Sequence, residues 1–462
     1  MSTRQRPFAA GRILSGVLVL ALSGCSLIPA YDSPEFSFAD SYGDGADGAP
    51  RLLDNASWWE TFNDATLNRL VDRALEGSID LDLARERLRE ARAAVGAVDT
   101  NASLNGSGRA ERVGGSERDD RTDSSVAFDF SWLLDPYRQR EARIEAASAR
   151  AQVAEAEINA ARLFLLSEVA TAYVDLRFQQ RALALRRKQL RSRDETVDII
   201  RAFVQQGESA RLDVVRAEAL VAETQALIPV IGANIRAQRN RLRVLMGEAP
   251  APVRQPPLAG AGAGQPRPGM SPDIGIPADL LRNRPDLHIK ERRYYAAVAE
   301  IGAARAELYP RLFLNGTLAL DTVSGDSALN YVFGPAVRLP ALPTGPRAAA
   351  VSVRLSQARQ AHTEWRLNVL QALQEVEDAL AQFASSRKAV RAARRAVDAY
   401  NEAVVLTKRL LANGGSTVRD LLDAEERVAE AEITHARNLR DLGRSFVALN
   451  VALGSGNAVA RR

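Results

Sequence analysis

The chain has 462 residues, 46% hydrophobic, 26% charged and 6% aromatic, with 61 Lys and Arg against 57 Asp and Glu. This mild basic excess is spread along the sequence without a concentrated patch of interleaved aromatics, which excludes a nucleic-acid surface, and a single cysteine excludes an internal disulfide. The best apolar stretch beyond the N-terminus, INAARLFLLSEVATAYVDL, contains Arg162, Glu168 and Asp175, so the chain offers no helix of roughly 20 apolar residues able to span a bilayer.

Residues 1–24 read as a signal peptide. Arg4, Arg6 and Arg12 precede an apolar run from Ile13 to Leu22, and Ser23 and Gly24 supply a small-residue cleavage site. The only cysteine follows at once. LSGC matches a bacterial lipobox, which predicts that Cys25 is lipidated and begins a mature N-terminal segment, 25–57. Each buried acyl CH₂ contributes about 0.8 kcal/mol, and two chains anchor a protein stably. Ser26 in place of Asp favours the outer membrane in many bacteria.

The remainder is a duplication. QGESARLDVVRAEALVAE, 206–223, matches NGGSTVRDLLDAEERVAE, 413–430, at an offset of 207 residues. The predicted units are a first repeat, 58–249, a Pro/Gly-rich linker, 250–273, a second repeat, 274–456, and a short tail, 457–462. In the first repeat a weak strand pattern at 101–111 is followed by VAFDFSW, 126–132, where apolar and polar residues alternate. Residues 137–206 hold no Gly or Pro and predict one very long helix, with Val169, Leu176, Leu183, Leu190, Val197 and Val204 recurring every seven residues. After a turn at Gly207 the heptad resumes at Val214, Val221, Ile228, Ile235 and Leu242.

The second repeat restates this plan. Strands are predicted at 311–320 and 331–339, and a long helix at 347–413 with Val376, Phe383, Val390, Val397, Val404 and Leu411 in the same register. A turn at Gly414–Gly415 and a return through Leu421, Val428, His435, Leu442 and Leu449 follow. Seven-residue repeats specify helices wound about one another, so the turns are expected at the tips of two long hairpins. The polar stretches 106–125 and 321–330 are predicted as loops projecting from the strands.

Strands with one apolar face suit a membrane barrel or a sheet over a core. Four strands cannot close a barrel, and an open edge in lipid is not tolerated, so a barrel demands more than one chain. No enzymatic constellation is present: His288, His362 and His435 lack metal-ligand spacing, no nucleophile motif occurs, and no cofactor or metal is expected. A membrane-anchored periplasmic coiled-coil scaffold remains an alternative, one that leaves the duplicated strands unexplained.

IPADLLRNRPDLHIKERRYYAAVAEIGAARAELYPRLFLNG, 276–316, resembles the signature of the TolC-like outer membrane factors, the outer-membrane efflux lipoproteins. WWETFNDATLNRLVDRALEGSIDLDLARERL, 58–88, and ALQEVEDALAQF, 372–383, agree with it, and the likeness spans nearly the whole mature chain. The resemblance implies an α+β fold: a transmembrane β-barrel of four strands per chain, closed by a homotrimer and continuing into a long periplasmic α-helical barrel. It implies a passive outer-membrane conduit, with a periplasmic adaptor and an energised inner-membrane pump as partners. It further implies an acidic periplasmic gate at Asp420, Asp423 and Asp213, against which stands their ordinary role at helix N-termini. Adaptor docking falls on Gly207, Ser209, Gly414 and Ser416, whose simpler role is to make the turns. Where known latches carry Tyr and Arg, this chain has Leu411 and Ser416.

Overall fold

The structure is a computed structural model. It describes residues 27–29, 31, 36, 38, 42–43, 56–98, 100–115, 118–207, 209–250, 264–269, 277–323, 326–340 and 342–456. The signal peptide and Cys25 lie outside the described residues. In chain order the elements are α1 (Ala65–Gly77), α2 (Ile79–Gly96), β1 (Ala102–Gly115), β2 (Arg118–Leu134), α3 (Gln139–Gln205), α4 (Arg211–Leu245), α5 (Pro285–Ala306), β3 (Arg311–Val323), β4 (Asp326–Arg338), α6 (Gly345–Ala412) and α7 (Val418–Ala452). The duplication is visible in their lengths: α3 has 67 residues and α6 68, while α4 and α7 have 35 each. The chain divides into two compact units, and each draws on both halves of the duplication.

The first unit, with Arg87–Glu155 and Ile289–Leu367, contains a single antiparallel sheet in the order β1-β2-β3-β4. Its register places Val126, Phe128 and Trp132 opposite Leu320, Leu318 and Leu314, and then Leu318 and Leu320 opposite Tyr331 and Leu329. Because side chains alternate along a strand, these residues share one face with Phe333, and all but half-buried Leu314 remain exposed within the chain, Tyr331 at 79% and Phe333 at 66%. Two glycines make room for rings on this face. A Cβ on Gly316 would stand 2.6 Å from the Phe333 ring, and one on Gly106 3.4 Å from Phe128. The opposite face is polar and cross-linked, with Ser131 Oγ donating to Asn315 Oδ1 at 2.9 Å, Thr317 Oγ1 to Asp129 Oδ1 at 2.7 Å, and Asn330 Nδ2 to Asp321 Oδ2 at 2.8 Å.

The strands outrun the pattern that announced them. Most of 106–125 and 321–330, expected as loops, is strand: β1 continues to Gly115, β2 begins at Arg118, β3 reaches Val323 and β4 begins at Asp326. Pairs such as Arg109 with Ser125, Glu111 with Asp123 and Thr322 with Ser327 extend the ladder using polar side chains. Apolar alternation marks a buried or lipid-facing side, whereas the backbone ladder needs only paired N–H and C=O groups. Behind the sheet in sequence, Val298 and Ile301 of α5 pack with Ala358 of α6, and Glu300 joins Arg150 to Arg354, the latter at 2.7 Å.

The second unit, with residues from Phe36 to Glu86, Ala156–His288 and Asn368–Arg462, is helical. Every heptad position named from the sequence in α3, α4, α6 and α7 is buried or half-buried, with Leu176, Val376, Leu242 and Leu449 at 0% exposure. Trp58, Phe62 and Phe383 pack around Phe446. Asp64 caps α1 by accepting from Thr66 N–H and also takes the Tyr173 hydroxyl at 2.6 Å. Buried Arg284 fastens three segments, donating to Ala452 O at 2.9 Å and Glu375 Oε2 at 2.7 Å while pairing with Asp286.

The linker is partly tied down. Arg177 donates to Gly264 O, Gln265 Nε2 donates to Ala436 O at 2.8 Å, and Gly269 N–H donates to Thr61 O at 2.9 Å. The two return helices end alike. Gly247 and Gly454, one repeat apart, have φ of +72° and +73°, and a Cβ would meet Gly77 O at 2.1 Å or Asn283 O at 2.6 Å.

Two outcomes are expected. Leu318→Arg places a charge on the apolar face and should weaken folding into vesicles by about 2–4 kcal/mol, while Thr317→Arg, beside Asp129, leaves it near wild type; urea titration of the reconstituted protein reads the difference. Gly454→Ala should destabilise by roughly 1–3 kcal/mol. Gly232→Ala, where a Cβ meets nothing within 4 Å, should stabilise by about 0.5–1 kcal/mol, both read from the thermal loss of helical circular dichroism.

Candidate functional site

The hairpin tips gather the residues singled out from the sequence. In the first, Gly207 adopts φ +78° after α3, and Ser209 Oγ donates to Asp213 Oδ2 at 3.0 Å in the first turn of α4. Arg216 stands 3.7 Å from Asp213. In the second, Gly414 has φ +73°, and Gly415 N–H closes the end of α6 onto Leu410 O at 2.9 Å. Left-handed φ is the conformation glycine supplies without steric cost, so the turn-making role of both glycines is met directly. Below the turns, Val197 and Ile200 of α3, Ala217 of α4 and Val418 of α7 form one apolar cluster, with Leu411 packed against it. The two tips are therefore packed together.

The aspartates differ in what they do. Asp420 Oδ2 accepts from Thr417 N–H at 2.9 Å, from Thr417 Oγ1 at 2.7 Å and from Ser416 Oγ at 3.1 Å, while Thr417 Oγ1 accepts from Asp420 N–H at 3.2 Å. This is a reciprocal capping box for α7. The hydrogen bonds from Thr417, and then Ser416, hold the Asp420 carboxyl below its ordinary value. A depressed folded value means that the cap contributes above the unfolded-chain pKa and is lost as pH falls through the folded one. Asp420 thus has the structural role weighed against the gate, and it keeps an exposed negative charge while filling it. Asp423 is exposed one turn further along α7. The first tip is less acidic and less firmly capped, because Ala210 replaces the capping threonine and Arg216 stands where the second repeat has Asp423.

Above the apolar cluster lies a polar layer that the sequence reading missed. Arg193, 6% exposed on α3, donates to Leu220 O at 2.6 Å and Thr224 Oγ1 at 2.5 Å on α4, and pairs with Glu426 on α7. Glu425, 7% exposed, accepts from Ser192 Oγ and Thr196 Oγ1, each at 3.0 Å, and from Lys408 Nζ of α6, also at 3.0 Å. One layer thereby joins all four long helices through charge-assisted bonds, which are stronger than neutral ones. The signal for it was present in the breaks of the duplication: Arg193 and Glu426 align with Tyr400 and Ala219. His435, a heptad residue, is half-buried and pushed towards its neutral form, first by burial and then by Arg267.

Among the described residues no group of His, Cys, Asp and Glu could hold a metal ion, and no helix is long and apolar enough to cross a membrane. The chemistry of the tips is charge and packing.

The model of the outer membrane efflux protein family matches residues 70–248 and 276–455. Nodulation protein T of Rhizobium leguminosarum bv. viciae is 33% identical, over 97% of this chain and 94% of its own. Outer membrane protein OprJ of Pseudomonas aeruginosa is 29% identical, over 95% of each. Among solved structures, the outer-membrane channel OprN superposes with a TM-score of 0.85 at 27% identity, covering 94% of this chain and 99% of that one. The open state of the Neisseria gonorrhoeae MtrE outer membrane channel gives 0.83 at 27% identity, covering 94% and 98%. A duplicated chain with one amphipathic four-stranded sheet and two long helical hairpins, matched in both halves, belongs to the outer membrane efflux protein family, the bacterial outer-membrane efflux channels of TolC-like fold.

Proposed function

We propose that three copies of this chain close a twelve-stranded barrel and act as the passive outer-membrane conduit of a tripartite efflux pump. The observation that supports this most directly is the sheet itself: four strands, an apolar outer face, a hydrogen-bonded polar face, and edges at β1 and β4 that no strand pairs among the described residues. Polar residues inside and apolar residues outside are the arrangement of a water-filled barrel in lipid. Under this reading the two repeats, 58–249 and 274–456, each supply two strands and one helical hairpin, joined through the linker 250–273. Cys25 tethers the N-terminal segment to the outer membrane, aiding delivery and insertion, while the barrel holds the protein in place.

The conduit performs no chemistry of its own. A periplasmic adaptor docks at the helix tips, where Gly207, Ser209, Gly414 and Ser416 permit close approach of another helix end, and an inner-membrane pump supplies the work. Threefold symmetry repeats the Asp420 and Asp423 charges around the axis, with Asp213 contributing from the other tip. A ring of like carboxylates in a narrow passage concentrates cations and repels anions. The polar layer of buried Arg193 and Glu425 with their exposed partners Glu426 and Lys408 holds the two hairpins in register above that ring.

Asp420→Asn combined with Asp423→Asn retains acceptors for the cap and removes the charge. Reconstituted in planar bilayers under a salt gradient, this variant should show a reversal potential shifted away from cation selectivity; an unchanged potential places both residues outside the constriction. Ser416→Trp should leave a detergent-stable trimer but abolish export in cells carrying the partner pump. Export at the wild-type rate would put adaptor docking elsewhere.

A further inference from the structure

The polar face of the sheet ends in a cavity of about 360 Å³ at the foot of the strands, roofed by the first turns of α3. Four arginines line it, Arg140, Arg143, Arg311 and Arg338, together with Ser103 and Ser131, and no carboxylate is among its lining side chains. The volume falls in the range of small-molecule sites, roughly 300–1,000 Å³. Arg311 and Arg338 are direct cross-strand partners, and like charges in that position repel. Nothing within the sheet offsets the repulsion fully. Arg338 lies over the Phe313 ring at 4.8 Å and has no carboxylate partner among the described residues. Arg311 reaches Glu307 only at 4.0 Å, and the same carboxylate also serves Arg143 at 3.5 Å and Gln139 Nε2 at 3.3 Å. Asp135 is occupied by the backbone N–H groups of Gln139 and Arg140, at 2.9 and 2.7 Å.

From this geometry we propose that the cavity is a binding station for an oxyanion, the carboxylate, sulfonate or phosphate group of a small organic anion. Guanidinium groups match such oxygens two at a time, and an anion between Arg311 and Arg338 turns a repulsive pair into a clamp. The Phe313 ring beside Arg338 adds an apolar wall for the body of an organic solute. The inference rests on the proposed channel, in which this face lines the lumen and threefold symmetry repeats the station around it. It assigns the lumen a basic belt at the foot of the barrel, opposite in sign to the aspartates of the tips. The oxyanion comes from one of two sources: a solute in transit, or the headgroup of an anionic phospholipid.

Equilibrium dialysis of radiolabelled citrate against the full-length protein, purified in detergent at low salt without added lipid, tests the station. Saturable binding at one site per chain is expected, weakened at least tenfold in Arg311→Gln/Arg338→Gln and progressively lost with added salt. Arg143→Gln, outside the strands, should weaken binding by a smaller factor and guards against a double variant that fails to assemble. Citrate binding that is absent from the wild type, or equal in the wild type and both variants, overturns the proposal. Planar-bilayer conductance on the same preparations separates the two readings: a wild type that conducts but binds no citrate overturns the station alone, and one that binds citrate without conducting supports the station and counts against the channel. In nanodiscs of phosphatidylglycerol, displacement of citrate assigns the site to a lipid headgroup. Retained binding assigns it to solutes in the lumen.

Discussion

A β-strand has hydrogen-bonding groups along both sides, and β1 and β4 each have one side unpaired by any other strand among the described residues. In water such an edge is a liability; in hydrocarbon each unsatisfied group costs several kcal/mol. That requirement governs the rest of the molecule. The sheet cannot enter a membrane as a monomer, and its exposed Phe128, Leu318, Tyr331 and Phe333 leave it poorly suited to water. Closure with other copies satisfies both demands at once. Each strand pair runs into a helix with little slack: only four residues separate Leu134 from Gln139, and six separate Arg338 from Gly345.

Duplication supplies most of this architecture economically, and its breaks mark where the copies take different tasks. Gly247 and Gly454 perform the same manoeuvre, each sealed against a carbonyl oxygen. At the tips the copies diverge. Thr417 builds a reciprocal cap where Ala210 has no side chain to offer, and Asp423 faces solvent where the first copy has Arg216. Half of the polar layer is unshared as well: Arg193 and Glu426 have Tyr400 and Ala219 as counterparts, whereas the pair Lys408–Glu425 recurs as Arg201–Glu218. Buried charges in a helical array are poor sources of net stability, but they fix which helix faces which. Here Arg193 with Glu426, and Glu425 with Ser192 and Thr196, join one hairpin to the other.

Much of this was legible in the chain. The heptads of α3 and α6 located the helices to within two residues at each end, because Gly and Pro are absent from the interior and abundant at the turns. Strand existence was legible too, but strand length was not. Residues 118–125 and 326–330 extend the ladder without a sustained apolar alternation, and such a ladder leaves no periodic trace. Asp420 and Asp423 were singled out by the family resemblance and Asp213 by matching one repeat to the other, yet their partners were hidden, since Ser416 and Thr417 declare a cap only once their hydroxyls are placed. The arginine-lined cavity was harder still. Its four arginines come from three elements and from residues next to strand ends, and only the sheet register puts Arg311 beside Arg338.

Among the described residues the sequential order β1-β2-β3-β4 leaves free edges at the first and last strands, so neighbouring copies meet head to tail, β4 of one against β1 of the next. The two halves of such a seam are different surfaces. A chain damaged at β1 alone still offers a sound β4, enters a ring readily and then leaves it unsealed. Damage at one edge is therefore inherited by partners that are themselves intact. When altered and normal chains are made in equal amounts, only about one ring of three in eight is free of the altered form. In genetic terms, lesions of a single edge are dominant. Lesions that stop the chain from folding before it can dock are recessive.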